Sequence, residues 1–437
     1  MRRFVVALGC AVLVGVSGAA FSGEEAGSAE GADLLEGAGP LDGAGERIEQ
    51  HRKGDFTLAL FERRGRPLRE RDVEVKLVRH DFLFGSNMFA WTNRDGHFDR
   101  RYRDHFEALL NYATLPFYWW DYEKEQGKTD EKRVRRMAEW CAERAIAVKG
   151  HPLIWNHADP AWLPDDEAAV RKLTFGRVDT IVEAFAGTVD VWDVLNEPTA
   201  WERNAKTAPK VTAAVVNVGT IEAIKLALER ARKANPDATL LINDYVTGED
   251  CYKVLDQLRD DEGTLLFDAV GIQTHMHSGP RPLDEMWAVC ERFGRLGVPL
   301  HFTELTVLSE YPDRELGEDE TAQYVEDFYT MLFSHPAVDA ITWWDFSDRG
   351  AWRGAKAGLL HDDGTAKPVY ERLSKLLHET WTTNATLKTD GNGVIRFRGF
   401  YGTYEVRVKR GPDRWLTKRV TFKRRDPTTH SQRVFFD

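Results

Sequence analysis

The stretch TVDVWDVLNEPTAWER, residues 188–203, sets the reading of the whole chain. Val189, Val191, Trp192, Val194 and Leu195 make an apolar run of the kind buried on both faces of a parallel sheet. The run stops at Asn196-Glu197-Pro198. Proline cannot donate to a strand ladder, so the strand ends by delivering a carboxylate to its C-terminal edge. A carboxylate there is costly unless it is paired or neutral, and its neighbours become the question.

Seven similar runs recur, at HDFLFGSNMF (80–89), NYATLPFYW (111–119), AIAVKGHPLIW (145–155), ATLLINDY (238–245), AVGIQTHMH (269–277), VPLHFTELTV (298–307) and VDAITWWDF (338–346). Helical patterns separate them; VNVGTIEAIKLALERARKANP, closed by Pro236, is one. Eight strand–helix units predict an α/β fold, a (β/α)8 TIM barrel. A doubly wound nucleotide-binding sheet is disfavoured, because no glycine-rich phosphate loop follows the first strand. In such barrels chemistry gathers at the C-terminal ends of the strands.

Polar residues collect at those ends. His151, Trp155 and Asn156 close the third strand, Asn196 and Glu197 the fourth, and Asn243, Asp244 and Tyr245 the fifth. Gln273, His275 and His277 close the sixth, Glu304 the seventh, and Trp344 with Asp345 the eighth. Glu197 and Glu304 are far apart in sequence yet able to face each other across one barrel mouth. Such a pair suits glycosidic bond cleavage, with one protonated acid for the leaving oxygen and one ionised carboxylate opposite. A separation of about 5–5.5 Å would make the second a nucleophile and the reaction retaining. His275 and Gln273 are expected to donate to Glu304 and keep it ionised, while aromatic surroundings and the second negative charge raise the pKa of Glu197. Asn196 is positioned for a sugar 2-hydroxyl. His277, expected out of phase with His275, is read as structural or on the rim, so the two make poor co-ligands for a metal. No cofactor or metal is required by this chemistry.

The ends of the chain differ from its middle. Residues 1–20 carry Arg2 and Arg3, an apolar stretch from Phe4 to Val16 and small residues towards Ala20, the pattern of a signal peptide. Residues 21–46, rich in Gly, Ala and Glu, read as a disordered leader. An N-terminal β-segment over 47–79 shows two alternating strands around Gly-Arg-Pro, a hairpin signal. The barrel spans 80–380, and 381–437 is a second β-rich segment, with which the first is expected to pair in one small flanking β-unit. Residues 382–437 hold 13 Lys/Arg against 5 Asp/Glu, a pattern best explained by charged outer faces of short strands. Net charge is −11, and the tail lacks stacking platforms, so nucleic-acid binding is disfavoured. The apolar stretch is too short for a membrane span, and none is expected once the leader is removed. Cys141, Cys251 and Cys290 form neither a disulfide framework nor a zinc pattern and are expected in the core.

Five motifs, in order, resemble glycoside hydrolase family 10, the retaining barrel enzymes best known as endo-β-1,4-xylanases. GHPLIW (150–155), WDVLNEP (192–198), GIQTH (271–275) and HFTEL (301–305) are similar to that family's third-strand, acid/base, sixth-strand and nucleophile motifs. ITWWDFSDRGAWRGAKAGLLHDDGTAKPVY (341–370) resembles its eighth strand and the Trp-bearing loop after it. The resemblance implies that Glu197 is the acid/base and Glu304 the nucleophile. It also implies that His151, Trp155, Asn196, Gln273 and His275 line the sugar site, with Trp344 and Trp352 as stacking walls. It implies, further, an enzyme acting on xylan or a related plant polysaccharide, and the signal-peptide pattern of residues 1–20 makes the expected destination secreted or periplasmic. Two departures bear on the sugar. The family's Glu-Asn-x-Met-Lys-Trp element is replaced by ATLPFYWWDYEKEQG (113–127), where Trp119, Glu123 and Gly127 keep their spacing but Leu115, Phe117 and Tyr118 stand in place of polar groups. Asn156 occupies a position usually held by His. The alternatives are the same chemistry on another β-glycan or decorated oligosaccharide, or a carbohydrate-binding protein without turnover.

Overall fold

The computed structural model describes residues 39–311, 315–354, 356–411 and 414–437. Residues 1–38, which include the expected signal peptide and most of the expected leader, lie outside the described residues. The leader reading runs too far: helix α1 (Ala44–Arg52) begins inside it, turning the apolar side chains Ala44 and Ile48 inward. Strands β1 (Lys53–Glu62) and β2 (Asp72–His80) come next.

The barrel strands are β3 (Leu83–Asn87), β4 (Tyr112–Pro116), β5 (Ala147–His151), β6 (Val191–Asn196), β7 (Thr239–Asp244), β8 (Ala269–Met276), β9 (Leu300–Val307) and β10 (Val338–Trp343). They close in the order β10-β3-β4-β5-β6-β7-β8-β9, all parallel, as a (β/α)8 barrel. Every residue of β9 is buried, as its unbroken LHFTELTV text requires of a strand covered on both faces. Strand register sets the level of the polar side chains near the mouth. Asn196 is paired with Asn243 across β6 and β7, and Gln273 with Glu304 across β8 and β9, so these four side chains share one layer. Two glycines make room for large neighbours: a Cβ on Gly150 would lie 2.1 Å from the Trp192 ring, and one on Gly271 would lie 2.6 Å from Asn243 Oδ1.

The C-terminal strands are β11 (Asn384–Lys388), β12 (Val394–Phe400), β13 (Gly402–Gly411), β14 (Arg414–Phe422) and β15 (Ser431–Phe436). The two ends of the chain do pair, but β1 and β2 do not form a hairpin. β1 sits between β12 and β15, whereas β2 sits between β11 and β13, with β14 on the outer side of β13. The reason is the apolar face each strand presents. Phe56, Leu58 and Leu60 of β1 and Val73, Val75 and Leu77 of β2 are buried, and two facing sheets cover both rows at once. Phe56 stacks on Phe422 of the other sheet at 3.9 Å between centroids.

One buried cation ties this β-unit to the base of the barrel. Arg52 donates to the carbonyls of Phe333 (2.5 Å), His335 (2.5 Å) and Val338 (2.7 Å) and lies 3.6 Å from Asp339. Arg424 and Arg425 also bond Asp339, the latter at 2.6 Å, which accounts for part of the basic excess of the tail. Replacing Arg52 by Met strands three carbonyls and is expected to lower the unfolding free energy by about 3–5 kcal/mol, read as a lower urea midpoint at unchanged slope. A loss under about 1 kcal/mol would show that water replaces the guanidinium.

Candidate active site

Glu197 stands directly after β6, with backbone angles of φ 55° and ψ 42°. This left-handed geometry is uncommon for glutamate and costs about 1–3 kcal/mol unless its surroundings impose it. They do. The Glu197 N–H donates to Asn243 O at 2.7 Å, and Pro198 opens a 3-10 turn over Pro198–Asn204. Thr199 donates to Asp244 Oδ2 through both its N–H (3.1 Å) and its hydroxyl (2.7 Å). Trp201 Nε1 bonds Asn196 O at 3.2 Å, and Asn156 Nδ2 holds Trp201 O at 2.7 Å and Thr212 Oγ1 at 2.8 Å. Asn156 is therefore buried and structural rather than part of a sugar site. The strand stops at a carboxylate because the turn after it aims that carboxylate into the barrel mouth.

Glu304, on β9, accepts from Asn243 Nδ2 at 2.6 Å and contacts His275 Nε2 at 3.0 Å and His151 Nε2 at 3.9 Å. The expected bond from Gln273 to Glu304 is not the one formed. Gln273 Nε2 points instead to Asn196 Oδ1 (3.1 Å) and Glu197 Oε1 (3.3 Å). Asn243 Nδ2 also donates to Asn196 Oδ1 at 2.7 Å, so Gln273, Asn196 and Asn243 bridge the two carboxylates as a chain of amides. A second chain starts from β5. Lys149 and Asp193, both fully buried, meet at 2.6 Å, and Asp193 Oδ2 lies 2.7 Å from His151 Nδ1.

These contacts push the two glutamates apart electrostatically. Burial raises the Glu197 carboxyl; Arg203 opposes that, and the charges of Glu304 and Asp244 reinforce it, leaving the group above its ordinary value. Burial also acts on Glu304, but His151, His275 and Lys149 outweigh it and hold that carboxyl below its ordinary value. Asp193 follows the same pattern, with Lys149 and His151 overcoming burial. Asp345 is pushed up to about 6, chiefly by burial, against the Trp352 N–H that it accepts at 3.0 Å. One site thus holds a carboxyl inclined to keep its proton and one inclined to lose it, the arrangement general acid–nucleophile pairs need.

Both glutamates face a cleft of about 500 Å³, lined also by His151, Trp155, Gln273, His275, Trp344 and Trp352. Trp344 is buried, its ring 5.3 Å from His151 and 5.8 Å from His275, whereas Trp352 is 43% exposed. Asn196 is buried within the amide chain and does not line the cleft itself. His277 does not diverge from His275. Residues two apart on a strand share a face, and the imidazoles stack at 5.5 Å beside Trp352. At the end of β4, Leu115 and Phe117 are core residues; only Tyr118, Trp120 and Asp121 reach the cleft from that stretch. Trp119 Nε1 and the Gly127 N–H both bond the Glu123 carboxylate, which explains why that spacing persists. Sequence reasoning missed Lys149, Asp193 and Arg203, and passed over Asn243 as a partner. A lysine in the otherwise apolar AIAVKGHPLIW was the one local signal, since an ammonium there demands a buried partner.

The family model described as Glycosyl hydrolase family 10 matches residues 76–376. The anti-sigma-I factor RsgI6 of Acetivibrio thermocellus is 29% identical over 373 residues, 83% of this chain and 46% of that protein. Endo-1,4-beta-xylanase B of Thermotoga neapolitana is 27% identical over 284 residues, 60% of this chain and 78% of that protein. Xylanase 10B of Thermotoga petrophila RKU-1, solved in complex with xylobiose, superposes with a TM-score of 0.58 at 24% identity, covering 69% of this chain and 95% of that one, a likeness of fold. The chain spans 46%, 34% and 46% of the length of three of these curated relatives, RsgI6 and the endo-1,4-beta-xylanases 1 and 5 of Arabidopsis thaliana.

Replacing Asp193 by Asn leaves Lys149 buried beside a neutral group. The variant is expected to lose about 3–5 kcal/mol of unfolding free energy at pH 7. Because the Asp193 carboxyl is depressed in the folded state, the difference from wild type is complete above about pH 4 and shrinks as pH falls through the folded value. Denaturant unfolding of both proteins from pH 7 to pH 3 checks it; a difference that does not shrink in acid would contradict the assignment.

Proposed function

The chain belongs to glycosyl hydrolase family 10, and from that premise we propose that it hydrolyses β-1,4-glycosidic bonds of xylan or a related plant polysaccharide with retention of configuration. The observation that carries the reading is the pair of cleft carboxyls with opposite pKa shifts, Glu197 raised and Glu304 lowered. In the first step Glu304 attacks the anomeric carbon while the glycosidic oxygen departs with the proton of Glu197. In the second, Glu197 takes a proton from water as that water attacks the same carbon and frees Glu304. His275 and Asn243 hold the nucleophile by one oxygen each, and His151, oriented by Asp193, adds to the positive potential around it. Asn196 Nδ2 makes only a long contact of 3.4 Å to Glu197, so a sugar 2-hydroxyl that reaches down to this buried amide finds a donor there. Trp155, Trp344 and Trp352 offer ring faces for sugars. Export through residues 1–20 is part of the proposal, and N-terminal sequencing of the mature protein tests it.

A second reading is carbohydrate binding without turnover. Two observations favour it: Arg203 already occupies Glu197 Oε2 at 2.8 Å, and the β4 end offers the cleft no amide or ammonium group.

Reducing-sugar release from xylan, arabinoxylan, mixed-linkage glucan and mannan separates the two. Wild type is expected to hydrolyse xylan, and Glu304→Ala to reduce the rate to background. Glu197→Ala is expected to lower polysaccharide turnover by about 10²–10⁴-fold, with a smaller loss of glycosylation rate on aryl glycosides whose leaving group needs no proton. Activity should rise as pH passes the depressed Glu304 value and fall as it passes the raised Glu197 value, so the Glu197→Ala profile loses its alkaline limb. Proton NMR of the first product should show the β-anomer; the α-anomer appearing first would refute retention. Equal rates for wild type and Glu304→Ala, with oligosaccharide binding retained, would establish the second reading.

A further inference from the structure

The charge of this protein is divided unevenly along the chain. Residues 53–80 and 382–437, which make the flanking β-unit, hold 21 Lys/Arg against 10 Asp/Glu, whereas the rest of the chain holds 38 against 60. A basic unit is therefore joined to an acidic barrel. Arg424 and Arg425 are taken up by Asp339 at the barrel base. The outer face of the β12-β1-β15 sheet carries others. Phe56, Leu58 and Leu60 of β1 are buried between the sheets, so Thr57, Ala59 and Phe61 point the other way. Register sets Arg396 of β12 and Ser431 of β15 on either side of Thr57, Val394 and Arg433 on either side of Ala59, and Phe435 beside Phe61. The two outer strands, about 10 Å apart, thus carry guanidinium groups on both sides of a row of short side chains. A pair of aromatic rings closes one end.

The cations on this face are loosely held. Arg396 is 69% exposed and lies 3.8 Å from Asp390, and Arg398 lies 3.4 Å from Asp55 and 3.7 Å from Glu49. Among the described residues Arg433 has no carboxylate partner, and its guanidinium sits 5.2 Å from the Phe61 ring. Exposed ion pairs of this kind contribute little, so an incoming carboxylate can replace them. The aromatic end is a separate observation. Phe435 is 46% exposed, the most of any large apolar side chain among the described residues. Its ring stacks on Phe61 at 5.3 Å and 23°, which fixes its orientation and leaves the other side to solvent.

A ring face and guanidinium groups on one sheet surface suit a ligand that offers apolar C–H faces and carboxylates together, the chemistry of a polysaccharide built from uronic acids. A lipid surface asks for several apolar side chains on a protruding edge, and single-stranded nucleic acid asks for successive ring platforms. This face has one exposed ring. We propose that the outer face of the β12-β1-β15 sheet binds a chain of acidic polysaccharide, with carboxylates on Arg396 and Arg433 and a sugar face on Phe435. The catalytic mouth is at the other end of the barrel, so the β-unit holds the protein on acidic polymer while the cleft works on a second chain. Tethering of this kind raises the local concentration of substrate without a new contact in the cleft. Occupancy of the sheet face does not depend on turnover.

Affinity electrophoresis in native gels containing polygalacturonate tests the site, with gels containing neutral xylan or DNA and sedimentation with phosphatidylglycerol vesicles as comparisons. Wild type is expected to be retarded by polygalacturonate at low salt and released as salt is raised. The double variant Arg396→Gln/Arg433→Gln should weaken the apparent affinity by about tenfold, and Phe435→Ala should weaken it with the salt dependence unchanged. Urea midpoints and reducing-sugar release from xylo-oligosaccharides should be the same in all three proteins, since the substituted side chains lie on the surface and away from the cleft. No retardation at low salt, or retardation unchanged in both variants, overturns the proposal. Equal affinity of wild type for polygalacturonate, DNA and the vesicles would show attraction to charge alone and overturns the ligand class. Retardation by polygalacturonate without hydrolysis of any glycan would overturn the hydrolase reading and leave this site standing.

Discussion

The interior of the barrel mouth holds more carboxylate than its solvation allows, and the rest of the site is arranged around that constraint. Asp193, Glu197 and Glu304 are all buried, and among the described residues Lys149 is the one ammonium buried with them. A buried charge without a partner is tolerated only by becoming neutral. Lys149 pairs directly with Asp193, and His151 and His275, with a smaller contribution from Lys149, outweigh burial to favour an ionised Glu304. Glu197 is driven towards its protonated form chiefly by burial, against its contact with Arg203. The opposite shifts of the two glutamates thus follow from their neighbours: His151 and His275, with Lys149 behind them, stand around Glu304, whereas burial prevails at Glu197. Lys149 acts at a distance, since its hydrogen bond goes to Asp193 rather than to either glutamate.

Geometry is imposed on the same residues by amides rather than by charges. Gln273, Asn196 and Asn243 run between the carboxyls as a continuous set of donors and acceptors, each supplied by a different strand. Strand register puts them at one level. The left-handed backbone at Glu197 is retained because its N–H is taken by β7 and the turn beyond it is clamped at three points. Local strain at a reactive residue persists where the surroundings over-determine it.

The flanking β-unit sits at the opposite end from this chemistry. Its contacts with the barrel, through Arg52, Arg424 and Arg425 on Asp339 and the carbonyls near it, are at the N-terminal ends of the strands. In this architecture that end governs stability and the other governs reaction. The similarity to RsgI6 covers 373 residues, more than the matched family region of 76–376, so likeness extends beyond the barrel itself.

Much of the fold and part of the site were legible in the order of residues. Eight apolar runs, each ending in polar groups, were enough for the barrel, because burial on both faces leaves a continuous hydrophobic record in a parallel strand. Glu197 and Glu304 were legible for the same reason: a carboxylate stands out against such a run, whether just after it, as Glu197 is, or inside it, as Glu304 proves to be three residues before β9 ends. The pairing of β1 and β2 was not legible, since alternation reports which side chains face inward but not which sheet accepts the strand. Nor were the partners of the carboxyls. Gln273, expected on Glu304, donates to Glu197, because its amide is closer to the amide chain than to the neighbour set by register. Arg203, six residues after Glu197 in a polar turn, looks like any solvated arginine until the turn folds back over the mouth. Sequence by itself determined which residues had to be buried and at which strand ends the costly ones would lie. Only the tertiary structure decided which charges answer one another, because hydrogen bonds and ion pairs act over a few ångströms between strands that are far apart along the chain.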